Sequence, residues 1–386
     1  MKIITRNILI VSFVSLFTDV ASEMLYPIMP IYLKTIGFSV ILIGVLEGFA
    51  EASAGLSKGY FGNLSDTKGK RLPFVQIGYA FSAISKPMMA LFIYPMWIFF
   101  ARTIDRIGKG VRTGARDALL SDEATPETKG KVFGFHRSMD TLGAVLGPSL
   151  ALLYLAFHPN NYKTLFFIAF FPGAIAIAFT FFIKEKKKEQ PQPKASPRLL
   201  DFVKYWKESS STYRKLVGAL VLFTLFNSSD IFLLLKIKEA GFTDTIIIGL
   251  YIFYNLIYAI FSYPLGILAD KIGMKKVLVV GLILFALTYL GMAYAQNTAL
   301  FMVLFFLYGI YAASTEGIVK AWITNICEKK NTATAIGTFT AFQSIATLIA
   351  SSLAGTIWFL FGPSVTFIAS GFIAFIVSMY ITKIKN

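Results

Sequence analysis

Apolar runs of bilayer length recur so often in this chain that they constrain its fold class before any motif is read. A membrane-crossing helix needs about 20 predominantly apolar residues. Twelve stretches qualify: residues 7–33, 41–64, 72–93, 96–120, 131–157 and 164–183, then 216–235, 246–269, 277–295, 299–326, 334–361 and 365–381. Charged residues are only 15% of the 386, against about 25% in a soluble domain. The expected fold is an all-α membrane protein with twelve transmembrane helices in two pseudo-symmetric six-helix bundles. The first stretch carries Asp19 and Glu23 and has no small-residue cleavage site, so it reads as a span and not as a leader.

The net charge of +16 is distributed by side. One set of loops holds Lys68, Lys70, Arg71, the segment 184–215, Lys271, Lys275, Lys276, Lys329, Lys330, Lys383 and Lys385. The opposite loops at 94–95, 296–297 and 362–363 carry none. This positive-inside asymmetry predicts a multi-pass protein of the cell's inner (plasma) membrane with both termini cytoplasmic, and it argues against a nucleic-acid partner. A single cysteine, Cys327, excludes an intrachain disulfide and a cysteine-based metal site.

Segment 184–215 opens KEKKKEQPQPKASP and holds ten Lys/Arg against four Asp/Glu, as a flexible cytoplasmic linker would. Leu199, Val203 and Trp206 fall near one helical face, which suggests a short interfacial helix; a solvated linker is the alternative. The predicted organisation is an N-terminal bundle 1–184, a linker 185–213 and a C-terminal bundle 214–386. The halves repeat each other. GNLSDTKGKR starts at Gly62 and GILADKIGMKK at Gly266, and Gly62, Asp66 and Gly69 recur 204 residues later as Gly266, Asp270 and Gly273. Gly37 recurs as Gly241 at the same offset. A parallel duplication of this kind places a binding site near the midplane between the halves.

The doubled G-x-L-[SA]-D-x-x-G-x-[KR] resembles the signature loop of the major facilitator superfamily, and the resemblance runs the length of the chain. It implies secondary transport of a small molecule by alternating access, in a monomer. It also implies that Gly62, Asp66, Gly69, Arg71, Gly266, Asp270, Gly273 and Lys275 form a latch on the cytoplasmic side. On physical grounds, Asp66 and Asp270 are placed to meet a helix N-terminus or a neighbouring arginine. Lys70, Arg71, Lys275 and Lys276 are expected to stay in the cytoplasm.

The fourth span carries RTIDRIGKGVRTGARD from Arg102. Arg102, the adjacent Asp105 and Arg106, Lys109, Arg112 and Arg116 follow one another at steps of three or four, one stripe of an α-helix. An unpaired charge at bilayer depth costs about 2.5–3.5 kcal/mol even on insertion scales, so the stripe has to face protein or water and find acids. Asp19, Glu23, Glu47, Glu51 and Asp140 are the candidates, and they are expected to carry coupling protons. Arg102, Arg106, Lys109, Arg112 and Arg137 are their expected charge partners, with Arg102 and Arg137 the preferred pair. Arg102 sits where the resemblance places a fourth-helix arginine, although Asp105 and Arg106 depart from the family's glutamine and glycine.

Gly134, Gly143, Gly147 and Pro148 have the spacing G-x8-G-x3-G-P and resemble the antiporter signature of proton-coupled drug exporters, with Ala151 and Leu152 in place of two glycines. Small residues admit close helix approach, and Pro148 removes a helix hydrogen bond. The expected function is proton-coupled export of a small amphipathic or cationic molecule. Asn227, Asp230, Tyr251, Tyr254, Asn255, Tyr258, Tyr311, Glu316 and Gln343 are the candidate cavity residues. Cation-coupled symport of a polar solute, with protons or sodium, is one alternative. Export of a metal ion or complex through Asp19, Glu23, His136 and Asp140 is another. No phosphate-binding loop or nucleophile–base spacing is present, so neither an enzyme nor a cofactor is expected, nor a resident metal.

Overall fold

The computed structural model describes residues 4–26, 28–185, 198, 200–227 and 230–384. Fifteen α-helices are found among them: α1 (Arg6–Glu23), α2 (Met29–Thr35), α3 (Val40–Lys68), α4 (Leu72–Leu91), α5 (Pro95–Asp122), α6 (Lys129–Phe157), α7 (Tyr162–Thr180), α8 (Asp201–Glu208), α9 (Ser211–Phe226), α10 (Asp230–Glu239), α11 (Asp244–Ile272), α12 (Met274–Tyr294), α13 (Thr298–Ile326), α14 (Thr332–Phe361) and α15 (Pro363–Thr382). A 3₁₀ turn, Lys329–Asn331, leads into α14. Counting α1 with α2, and α9 with α10, as interrupted spans gives twelve spanning segments, six on each side of the linker helix α8.

Their ends follow from local chemistry. Thr5 caps α1 by accepting from the Ile8 N–H at 3.3 Å, and Ser39 caps α3 through the Leu42 N–H at 3.2 Å. Proline stands in the first turn of α4, α5 and α15, where its missing N–H costs nothing. Helices α3 and α11 are each 29 residues long and begin and end 204 residues apart. The glycines beside them keep the same offset and positive φ: Gly37 (92°) with Gly241 (86°), Gly69 (62°) with Gly273 (102°). The two halves are therefore structural as well as sequence repeats.

Seven helices, α6, α7 and α11 to α15, are long and apolar enough to cross a membrane on length and composition alone. The other five segments are interrupted (α1/α2, α9/α10) or carry charge and small polar residues (α3, α4, α5). Phe171, Val280 and Phe372 stand exposed on α7, α12 and α15, as lipid-facing side chains do.

The chain divides into two compact units. The first comprises residues 1–124, 139–208 and 328–341; the second comprises 125–138, 209–327 and 342–386. Each unit thus takes the first turns of one long helix from the other sequence half. The first unit has an apolar cluster around Leu33, Leu165, Phe166 and Ile98, and its polar interior lies on α5. The second is filled by rings: Phe285 stacks on Tyr289 at 3.9 Å between centroids and meets Phe223 edge-on at 4.9 Å. The linker helix α8 belongs to the first unit. Phe202 is buried there against Gly59 of α3, where a methyl group would sit 2.6 Å from the ring. Of the face expected at the membrane interface, Val203 is exposed and Trp206 half-buried, and Leu199 lies outside the described residues.

Candidate functional site

The charged stripe of α5 is turned inward. Arg102, Asp105, Arg112 and Arg116 are all buried, whereas Lys109 is exposed. Asp105 accepts from Lys86 of α4 at 2.7 Å and faces Arg102 at 3.4 Å and Arg106 at 3.9 Å. Arg106 also reaches Glu51 of α3 at 3.8 Å, and Lys58 and Lys109 lie near the same carboxylate. Arg112 donates to Ser82 at 2.6 Å and lies 4.6 Å above the Tyr79 ring. Arg116 pairs with Asp117 at 2.9 Å and donates to Ser15 at 3.3 Å. Ser15 in turn donates to Asp140 at 2.5 Å.

The chain of contacts ends on two acids. Asp19 of α1 faces Asp140 of α6, with Glu23 beside it. Two carboxylates in contact repel. The approach depends on Gly143, one turn beyond Asp140. A Cβ there would stand 2.8 Å from Asp19 Cβ and 2.6 Å from the Leu16 carbonyl oxygen. Gly147, one turn further, would meet the Met24 N–H and Val20 carbonyl at 2.7 Å. These two glycines seat α6 on α1 and bring the acids together.

The two signature loops make equivalent contacts, one in each unit. In the first, Asp66 accepts from the Thr334 N–H (2.5 Å) and Oγ1 (2.7 Å) at the start of α14, and it pairs with Arg71. In the second, Asp270 accepts from the N–H groups of Gly130 and Lys131, both at 2.7 Å, at the start of α6. Each acid caps a helix N-terminus contributed by the opposite sequence half. Close backbone crossing permits this: a Cβ on Gly62 would sit 2.5 Å from the Ala333 carbonyl, and one on Gly134 2.5 Å from that of Ser262. Arg71 is buried, because its guanidinium turns back onto Asp66 and Ser65. Lys275 donates to the Ile384 carbonyl at 3.0 Å.

The second unit's polar residues gather around one acid. Asp230 accepts from Tyr254 at 2.8 Å and Tyr308 at 2.7 Å. Asn227 exchanges hydrogen bonds with Tyr311 and Tyr289, each at 3.4 Å. Tyr251 packs edge-on against Tyr254, and its carbonyl accepts from the Asn255 amide. Arg137 hydrogen-bonds Tyr258, lies 5.0 Å above its ring and pairs with Glu316 at 3.5 Å. Gln343 is half-buried on α14.

A family model described as Major Facilitator Superfamily matches residues 11–254 and 216–384. The chain belongs to the major facilitator superfamily. An uncharacterized MFS-type transporter of Methanocaldococcus jannaschii is 34% identical, covering 97% of this chain and 93% of the relative. The multidrug resistance protein MdtG of Dickeya zeae is 27% identical over 79% of this chain and 76% of its own length. Among solved structures, the human organic anion transporter MFSD10 superposes with a TM-score of 0.84 at 16% identity, covering 97% and 99% of the two chains. The superfamily fold, twelve helices in two halves, is the fold of this chain, and its members are transporters of small molecules.

Arg102 meets Asp105, its neighbour on α5, and also lies near Glu51; Arg137 meets Glu316 and Tyr258 in the second unit. Glu47 lies on α3, and its side chain is outside the described residues. His136 is buried in the second unit, and no set of three or more His, Cys, Asp or Glu residues with metal-holding geometry occurs among the described residues. Two participants escaped the sequence pattern. Lys86 is a lone lysine before Pro87 in an apolar helix, and Tyr308 is one of 18 tyrosines.

Proposed function

We propose that this superfamily member is a proton-coupled antiporter of the cell's inner membrane, both termini cytoplasmic, that exports a small amphipathic or cationic molecule. The single observation that carries the reading is the Asp19–Asp140 carboxyl pair, seated by Gly143. Sliding α6 off α1 would separate the acids and release a proton shared between them, and re-seating would demand a proton again. Arg116 and Ser15 connect the pair to the α5 charge network, so its protonation is sensed along that helix.

Asp230 among tyrosines supports the cationic amphipath. A carboxylate held by tyrosine hydroxyls attracts an organic cation by charge, and nearby ring faces can add the ring quadrupole. Likeness to MdtG supports the outward direction. Asp66 and Asp270 act as paired latches, since each ties a loop of one half to a helix start of the other. Both have to break before the cytoplasmic ends part. Metal export finds no ligand set among the described residues.

The test uses proteoliposomes with an internal pH-sensitive dye and ethidium as the cationic amphipathic probe. Proton flux opposite to ethidium flux, abolished in Asp140→Asn while ethidium binding persists, is the expected result. Flux of both in the same direction would mark the symport alternative. Ethidium transport unaffected by Asp19→Asn and Asp140→Asn alike would reject the carboxyl pair as the coupling site.

A further inference from the structure

A pocket of about 460 Å³ lies in the first unit, away from the carboxyl pair. It falls within the 300–1,000 Å³ range of small-molecule sites. Its floor is apolar, built by Ile8 and Val11 at the start of α1, Leu119 and Leu120 at the end of α5, and Ile183 after α7. Lys184, Lys329 and Lys330 line it as well. Three carboxylates share the lining, but two are already committed. Glu123 accepts from Thr5 Oγ1 at 3.0 Å and Asn7 Nδ2 at 3.2 Å. Glu185 accepts from the backbone N–H groups of Arg71 and Leu72 at 2.6 and 3.0 Å, capping α4. Asp122 is the third.

We propose that this pocket binds an anionic phospholipid of the cytoplasmic leaflet. The headgroup phosphate would rest on Lys184, Lys329 and Lys330, and the glycerol and first acyl carbons on the floor. Two observations favour a lipid over a soluble anion. The floor is more apolar than a phosphate site requires. The lining comes from the ends of spanning helices on the side where the chain concentrates its lysines. Basic pockets between spanning helices on the cytoplasmic side are where anionic headgroups bind.

The location gives the site a consequence. Lys329 and Lys330 sit in the 3₁₀ turn that leads into Thr332 and then Thr334, the residue held by Asp66. The other walls belong to α1, α5 and the end of α7. A lipid spanning the two ties the start of α14 to α1 and α7 and stabilises the latched arrangement.

The experiment is native mass spectrometry of the detergent-purified full chain with dioleoyl-phosphatidylglycerol or dioleoyl-phosphatidylcholine, alongside thermal unfolding. The expected result is retention of phosphatidylglycerol about tenfold above phosphatidylcholine, with a raised unfolding temperature. The preference should vanish in the Lys184→Gln/Lys329→Gln/Lys330→Gln variant. It should fall in Leu119→Trp, which fills the floor at unchanged charge, and persist in Lys271→Gln/Lys276→Gln, which removes two charges elsewhere. Where the triple variant does not fold, Leu119→Trp and Lys329→Gln/Lys330→Gln carry the same comparison. Equal retention of the two lipids, equal loss in the Lys271/Lys276 control, or the same stabilisation by inorganic phosphate alone overturns the proposal.

Discussion

The two units solve the same packing problem with different chemistry. The first buries formal charge: Lys86, Arg102, Asp105, Arg112, Arg116, Asp117 and Asp140 are all at or below 8% exposure. The second buries hydroxyls and rings around Asp230, with Tyr254, Tyr289, Tyr308 and Tyr311 all at or below 7%. Ion pairs are directional and leave a large penalty when one member is lost. Tyrosine hydroxyls are neutral, rotate about their bonds, and lose about one ordinary hydrogen bond when removed. The charged unit is therefore suited to respond to protonation, and the aromatic unit to accommodate varied apolar shapes.

Substitutions that remove equivalent contacts from each unit test this contrast. The largest effect is expected for Asp19→Asn. It removes one acid of the proposed coupling pair, and proton-driven ethidium flux should fall about a hundredfold or more, in line with loss of a proton-transfer group; a loss below tenfold in the flux assay would weaken the charged unit's claim to coupling. Next comes Lys86→Met. It removes the shortest contact of Asp105 while leaving Arg102 and Arg106 beside it, and should cost about 3 kcal/mol, the upper range for a hydrogen bond to a charged group, read as a lowered unfolding midpoint. Asp66→Ala should cost about 2 kcal/mol, since it removes an ion pair and two charge-assisted hydrogen bonds. Its mirror Asp270→Ala, which loses two N–H bonds, should cost less. Both should raise alkylation of cysteines introduced at the cytoplasmic helix ends, Asp66→Ala more. The smallest effect belongs to Tyr254→Phe, about 1 kcal/mol. A larger loss there than in Lys86→Met would invert the comparison.

Several of these features were legible in the sequence for identifiable reasons. Asp66 and Asp270 stood out because a 204-residue repeat doubles every signal. Asp19 and Asp140 stood out because an acid in an apolar run is conspicuous. Lys86 was missed because a single lysine in an otherwise apolar helix has no periodicity to reveal its partner. The break between α9 and α10 begins at Asn227, where the polar N-S-S-D interrupts the apolar stretch 216–235; the stretch read as one span because its apolar flanks together have the length of one. Tyr308 was indistinguishable from the packing tyrosines around it.

By itself the sequence determined the number of spans, the duplicated plan and the need to hide the α5 charges, because bilayer thickness and desolvation act on composition and spacing alone. Only the tertiary structure decided who pairs with whom. Arg137 turned to Glu316, and Asp19 to Asp140. Those choices rest on how closely two helices approach, and that is set by a few glycines whose facing partners lie a hundred residues or more away along the chain.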